Sequence, residues 1–458
     1  MVRSPLFPFV ALALFSIFSA ALILTLALRQ PWFGAELTAP PDGPGVILSG
    51  VEAGSALAAL PLGTRVLSVA PADAPGQAVE LRGIDRMEEP DGLPDIAAMN
   101  ALFAHQGALH RVISGGAVVF ATDTGPLTAA PAQGRPLSDL PDTFWIQIVT
   151  GLVGCWLGGW VLALRRREAS AAYLALAGVS LAVSAHAAAL YSTREIALPA
   201  DLFYWASAFN TLGAIVFGVG MICLFLVYPV RIVPRWVVAL AFAVFGTWAV
   251  LAFLRLTVST QMMIHVPIVV EMSLILLLAL AQVVTTRGQP RARAALRWFG
   301  LSVALGAGSF VVLITAPQAL GFTPQVKQGH AFAGFILIYV GLAIGVARYR
   351  LFELEDWSFR LFFYVGGVVL LIVLDVALIY FVALDRVPAF SLALLAVVFL
   401  YLPARDWIGR VLSRRNRLDE ETLFDLVSRA ALAAPGADQQ TGLRDLLQAL
   451  FNPAEIAP

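Results

Sequence analysis

Ten apolar stretches run along this chain, and the turns at every second junction are rich in arginine. An apolar helix covers the hydrocarbon core of a bilayer with about 20 residues, and each stretch reaches or approaches that length. The pattern predicts a mainly α fold: a polytopic transmembrane helix bundle of about ten spans, with one segment that reads as soluble and folded. Four parts follow, namely an N-terminal transmembrane anchor (residues 1–28), an extracytoplasmic α+β domain (29–142), a transmembrane bundle (143–404) and a cytoplasmic helical tail (405–458).

Hydrophobic residues make up 59% of the 458 and charged residues 13%, against about 25% charged in an ordinary globular domain. The formal net charge of +0 leaves no dominant basic surface, so nucleic acid is not expected as a partner, whereas membrane lipids are. Cys155 and Cys223 lie inside apolar stretches with neither CxxC spacing nor His partners. No metal site, disulfide framework or cofactor is therefore expected.

Arginine sets the orientation. The first apolar run, Phe7–Leu28, is longer than the apolar core of a signal peptide and is followed by no small-x-small cleavage site, which reads as an uncleaved anchor. The second run (144–164) ends in Arg165, Arg166 and Arg167, and the positive-inside rule puts that triplet in the cytoplasm. Residues 29–142 then lie outside. Runs at 169–191, 203–230, 236–256, 263–285, 298–316, 330–347, 361–384 and 390–404 continue the alternation. Their inner turns carry groups such as Arg287, Arg291, Arg293 and Arg297, while the outer loops hold only Arg194, Lys327 and Arg386, with Arg255 near a helix end. Both termini are expected in the cytoplasm of a bacterial cell, with the bundle in its inner membrane.

Within residues 29–142, Gly45–Leu48, Arg65–Val69 and Gly116–Phe120 are short β-type runs, and Asp95–His105 is a helical candidate. Val51-Glu52-Ala53-Gly54-Ser55-Ala56-Leu57, followed by Leu62-Gly63-Thr64-Arg65-Val66-Leu67, resembles the early part of a PDZ domain. Such domains bind extended peptides along a sheet edge, which implies a peptide groove at Gly45, Val46, Ile47 and Leu48. Two departures stand against it. Thr64 replaces the usual Asp, and Pro44 removes a backbone donor from the loop that would cradle a carboxylate. A small α+β cap without a groove is the other reading.

Polar groups at membrane depth are costly and point to function by default. His186, Glu271 and Asp375, with Asn210 as a companion, are the candidate ligand-binding residues. A His186–Glu271 hydrogen bond between helices, a ligand pocket open to the outside and an ion path remain open. Catalysis finds little support, because HExxH, Walker A and glycine-rich nucleotide motifs are all missing, and Gly178-Val179-Ser180 by itself is weak evidence for a serine protease dyad. No catalytic residue is assigned. Nor does an internal repeat suggest a transporter.

The string Val346-Ala347-Arg348-Tyr349-Arg350-Leu351-Phe352-Glu353-Leu354-Glu355 resembles the juncture in polytopic bacterial sensor histidine kinases, where one more helical hairpin precedes the cytoplasmic part. The turn from Tyr228-Pro229-Val230 to Pro234-Arg235 is similar to one in the same sensors. An extracytoplasmic PDZ-like domain between the first two spans resembles competence-pheromone receptor kinases. The resemblance implies a receptor module, dimeric, that detects a peptide or small molecule outside and signals to a kinase domain or response regulator. The chain departs from that pattern at its end, since none of its five histidines lies in the tail. The reading is thus the sensor part of a longer product or a receptor with a separate kinase. A transporter or channel-like protein with an external cap is the alternative.

Overall fold

The computed structural model describes residues 7–52, 54–257, 259–310, 312–313, 328–349, 394, 398, 403, 420–432 and 437–451. Residues 1–281 with 301–341 form one compact unit, and residues 282–300 with 342–458 the other.

In the first unit, helix α1 (Phe7–Leu28) leads into strands β1 (Ala35–Thr38), β2 (Val46–Val51), β3 (Arg65–Pro71) and β4 (Val79–Glu80). Helix α2 (Ile96–Ser114), strands β5 (Val118–Thr122) and β6 (Gly125–Ala129) and short 3-10 turns, among them Gly83–Arg86 and Pro90–Gly92, belong to the same small α+β domain. The sheet is antiparallel in the order β1-β2-β3-β5-β6, with β4 on β3. Alternation drives it: Val46 and Leu48, and Val118 and Phe120, turn to one face and are buried. Each such side chain contributes about 1.5–3 kcal/mol when fully buried. Phe33 meets Phe120 edge-on with ring centroids 5.2 Å apart. Asp95 starts α2 by accepting a hydrogen bond from the Ala98 N–H at 2.7 Å, a cap typically worth about 1 kcal/mol. Leu109 and Ile113 of α2 enter the sheet's core, which Ile196 and Ala197 from outside the domain complete.

The bundle follows with α3 (Asp142–Leu164), α4 (Ala169–Ser192), α5 (Ala200–Val227) and α6 (Arg235–Phe253). A π-helical turn, Gln261–His265, opens α7 (Val266–Thr285), and α8 (Pro290–Phe310), α9 (Gln328–Ala331) and α10 (Ala333–Tyr349) come after it. Helix α4 packs between α3 and α5, α1 lies on α3 and α4, and α6 lies on α5. Small residues let the backbones touch: a Cβ on Gly213 would sit 2.6 Å from the Ser180 carbonyl oxygen of α4. Among the described residues, six helices are long and apolar enough to cross a membrane, namely α1, α3, α4, α5, α6 and the continuous Gln261–Thr285. The chain is a multi-pass membrane protein, mainly helical, with a small antiparallel sheet. Two shorter apolar helices, Phe299–Phe310 and Gly329–Gly341, stand where further spans are expected. The expected spans at 361–384 and 390–404 lie outside the described residues, as does the 350–355 stretch of the kinase-like string.

One expectation changes. Strand β2 was to be a sheet edge, yet Ile47 pairs with Thr38 of β1 on one side and Arg65 of β3 on the other. The strands paired on one side only are β1, β6 and the short β4. Val46 and Leu48 are fully buried, so Gly45–Leu48 offer no open ladder for strand addition.

In the second unit, helices Glu420–Leu432 and Ala437–Phe451 pack on one another, with Gly442 close against Ala430.

Candidate functional site

The α4–α5 turn carries Arg194, which the sequence marks only as one of the few outer arginines. It is buried, and its guanidinium makes four hydrogen bonds to neighbours. Nε donates to Gln106 Oε1 of α2 at 3.1 Å, and Nη1 to the Tyr191 carbonyl of α4 at 2.6 Å. Nη2 donates to the Asp85 and Met87 carbonyls at 2.8 and 2.6 Å. The same guanidinium lies over the Phe203 ring of α5, 4.7 Å from its centroid. One side chain thus joins the 3-10 turn and helix of the α+β domain to two helices of the bundle. Burial lowers its pKa to about 9, so it stays cationic at neutral pH.

Acids surround it. The Asp85 carboxylate accepts from the Arg82 N–H at 2.8 Å and from Gln106 Nε2 at 3.0 Å, with His105 Nε2 at 3.2 Å. Arg86 donates to the Glu195 carbonyl, and burial lowers its pKa too. The Glu195 carboxylate turns back to the Phe33 and Ala35 N–H groups of the domain. Burial pushes Glu195 up to about 7 although these donors favour its charged form.

Glu89 and Asp91 flank Pro90 in the second 3-10 turn. The Tyr191 hydroxyl donates to Glu89 Oε2, whereas Glu89 Oε1 has no hydrogen-bond partner among the described residues. Asp91 Oδ1 lacks one as well, and His265 stands 3.9 Å from Oδ2, beyond hydrogen-bond reach. Burial, with Asp91 adding repulsion, holds Glu89 well above the usual carboxyl range, and burial raises Asp91.

A second clasp supports the first. Arg255 donates to Asn100 Oδ1 of α2 at 3.2 Å and to the Tyr204 carbonyl at 3.1 Å, and stacks over Tyr204 and Phe103 with centroids at 3.9 and 4.7 Å. Between the clasps α2 lies directly on α5, where a Cβ on Gly107 would come within 2.7 Å of Ala200 Cβ.

A cavity of about 50 Å³ opens in the bundle, lined by Asp91, His265, Ser184 and Asn210, with walls that include Phe217, Phe332 and Phe335. Of the ligand residues expected from sequence, Asn210 is brought here; its Nδ2 donates to the Ser184 carbonyl and hydroxyl at 3.2 and 3.0 Å. His186 and Glu271 are not among the residues lining it. The expected His186–Glu271 bond is not formed, because His186 is taken by Ser19 Oγ at 3.0 Å and the Ile148 carbonyl at 3.1 Å. Glu271 is fully buried beside Gly218, with neither oxygen hydrogen-bonded among the described residues. Asp375 lies outside the described residues.

Sequence reasoning missed the whole ionic cluster. A signal existed: Glu88-Glu89-Pro90-Asp91 concentrates acid in one turn of the α+β domain, and Arg194 is the one cation between the apolar runs 169–191 and 203–230. No protein-family model matches this chain, and no curated protein or solved structure is significantly similar to it.

Proposed function

We propose that this chain is the membrane-embedded sensing module of a bacterial signalling receptor. In this reading the external domain and the outer half of the bundle detect a ligand or envelope state, and the cytoplasmic helices pass the change to a histidine kinase domain or two-component partner, within a homodimer. The bundle sits in the inner membrane with both termini inside. The buried Arg194 clasp carries the reading. It ties the Asp85 and Met87 carbonyls and Gln106 of the domain to α4. A ligand with different affinities for two arrangements of this joint would move α4 and its neighbours, which is what a sensor requires. The PDZ-like likeness enters only as a reason for an extracytoplasmic recognition domain. Gly45–Leu48 do not enter at all, β2 being paired on both sides.

Glu271 favours a second reading, a transporter with an external cap, because an unpaired buried carboxyl on a spanning helix is the usual mark of an ion path. Hydrogen exchange on the full chain in lipid nanodiscs separates the two. Under the sensor reading, Arg194→Met changes exchange in Glu420–Leu432 and Ala437–Phe451, and proteoliposomes move no solute. Tail exchange identical to the parent, together with saturable solute uptake, would reject the sensor.

A further inference from the structure

We propose that the cavity beside the π-helical turn, walled by Phe217, Phe310, Phe332 and Phe335, binds a small uncharged apolar molecule, a short alkane or haloalkane in chemical class. This names the ligand class for the sensing site; its purpose rests on the sensor reading, and its binding does not.

Polar groups in the lining turn to one another. Asn210 Nδ2 donates to the Ser184 carbonyl and hydroxyl at 3.2 and 3.0 Å. Asp91 faces His265 at 3.9 Å, and burial disfavours its charged form. What remains is apolar: the four rings, with Ile268 and Met272. Phe335 packs on the other three, its centroid 5.2 Å from those of Phe217 and Phe310 and 6.0 Å from that of Phe332. A charged or strongly hydrogen-bonding solute would give up its water here without compensation. An apolar space stays dry, so an apolar occupant gains dispersion contacts and displaces no bound water.

Size narrows the class. One water needs about 10–15 Å³ of such space, so 50 Å³ admits about three to five small heavy atoms. Peptides and sugars are too large. Position gives the occupant leverage. The π-helical turn supplies Ile264 and His265, and turns of this kind frequently lie at functional sites. Asp91 comes from the 3-10 turn that Tyr191 holds through Glu89. Leu181, Asn210, Ile268, Phe310 and Phe335 bring α4, α5, α7, α8 and α10 to the same space. A molecule seated there borders the α+β domain and five helices of the bundle at once.

The test is methyl NMR of the full chain in lipid nanodiscs, isotope-labelled at the methionine methyl groups and titrated with dissolved cyclopropane. Met272 lines the cavity, Met99 and Met221 are buried outside it, and Met262 is exposed. The Met272 signal, assigned through Met272→Leu, should shift saturably while Met99 and Met221 stay in place. Met262 should drift only in proportion to the dissolved gas. Ala214→Phe fills the space and should weaken the Met272 response at least tenfold, with unmoved Met99 and Met221 signals as proof of folding. Ala214→Leu takes its place if Ala214→Phe does not fold. No saturable shift of Met272 in the parent chain, or an equal one in the filled variant, overturns the proposal. So does a cross-peak between Met272 and lipid chain protons before gas is added, which would give the cavity to an acyl chain. Saturable binding that leaves hydrogen exchange of the tail helices unchanged supports the site and counts against the sensor reading, so the two fail separately.

Discussion

Removing the Arg194 guanidinium while keeping its apolar stem, as in Arg194→Met, should loosen the joint between the external domain and the bundle. The guanidinium makes four hydrogen bonds, to the Gln106 side chain and the carbonyls of Tyr191, Asp85 and Met87. Hydrogen bonds to a charged group are worth about 1.5–3 kcal/mol each, but the sum overstates the change because the buried cation itself carries a desolvation cost. Losing one partner of a buried ionic network typically costs about 3–5 kcal/mol. At about 1.4 kcal/mol per tenfold, amide protection in α2 and in Gly83–Gly92 should fall by about two to three and a half powers of ten. Hydrogen exchange with mass spectrometry on the nanodisc-held chain reads this directly. Arg194→Lys keeps the charge but not the planar fork, and belongs between the two. Unchanged protection of α2 in Arg194→Met would refute the reasoning, since the clasp would then carry no load.

Other consequences follow from the same packing. Gly107→Ala places a Cβ 2.7 Å from Ala200 Cβ, and overpacking of this kind costs about 1–3 kcal/mol; Ala200→Gly should restore much of the loss in a thermal unfolding series, and a failure to do so would place the strain elsewhere. Tyr191→Phe removes the one donor to Glu89 found among the described residues, so it should destabilise by about 1–3 kcal/mol, while Tyr191→Phe combined with Glu89→Leu should cost less than the single change. Glu195 is raised from 4.5 to about 7, and Glu89 and Asp91 are raised as well, so the folded state holds these protons more tightly than the unfolded chain. The Glu195 contribution is full below pH 4.5 and lost as pH rises through about 7, so the unfolding temperature should fall between pH 5 and 8, with a shallower slope in Glu195→Gln; a rising temperature contradicts the assignment. His186→Leu strips the hydrogen bonds to Ser19 and the Ile148 carbonyl and should lower the thermal unfolding temperature; an unchanged temperature would show that these bonds carry no net stability.

Hydropathy made the spanning helices legible because a helix in lipid must satisfy its own backbone and stay apolar throughout its length. The first run, Phe7–Leu28, is the helix expected, and the next five begin and end within about three residues of their expected limits. Asp95 announced α2, since a capping side chain before an apolar-periodic run is a local signal. Strand β1 was not legible: Ala35–Thr38 is four residues long, and its pairing with β2 depends on a bulge at Glu36–Leu37. The PDZ resemblance, which assigns Gly45–Leu48 to a sheet edge, takes no account of this strand. Strand β6 begins Gly125-Pro126, which reads as a turn, though a proline is tolerated on an edge strand. The ionic joint was hidden for a different reason. Arg194 is 109 residues from Asp85 and Tyr191 is 102 from Glu89, and only the docking of the 3-10 turns on α4 and α5 brings them together. Charge counting reads such an arginine as topology, whereas tertiary structure makes it a structural bond.

The account stands on the external domain and the arginine triplet facing opposite sides of the membrane, with the triplet inside. In a chain carrying Cys155→Ser and Cys223→Ser, single thiols introduced by Leu62→Cys and Arg166→Cys sit at exposed positions at the two ends. A membrane-impermeant maleimide added to intact cells should label the Leu62→Cys chain and reach the Arg166→Cys chain only after permeabilisation. Labelling of Arg166→Cys in intact cells, with Leu62→Cys protected, would contradict the orientation and the sensing function built on it.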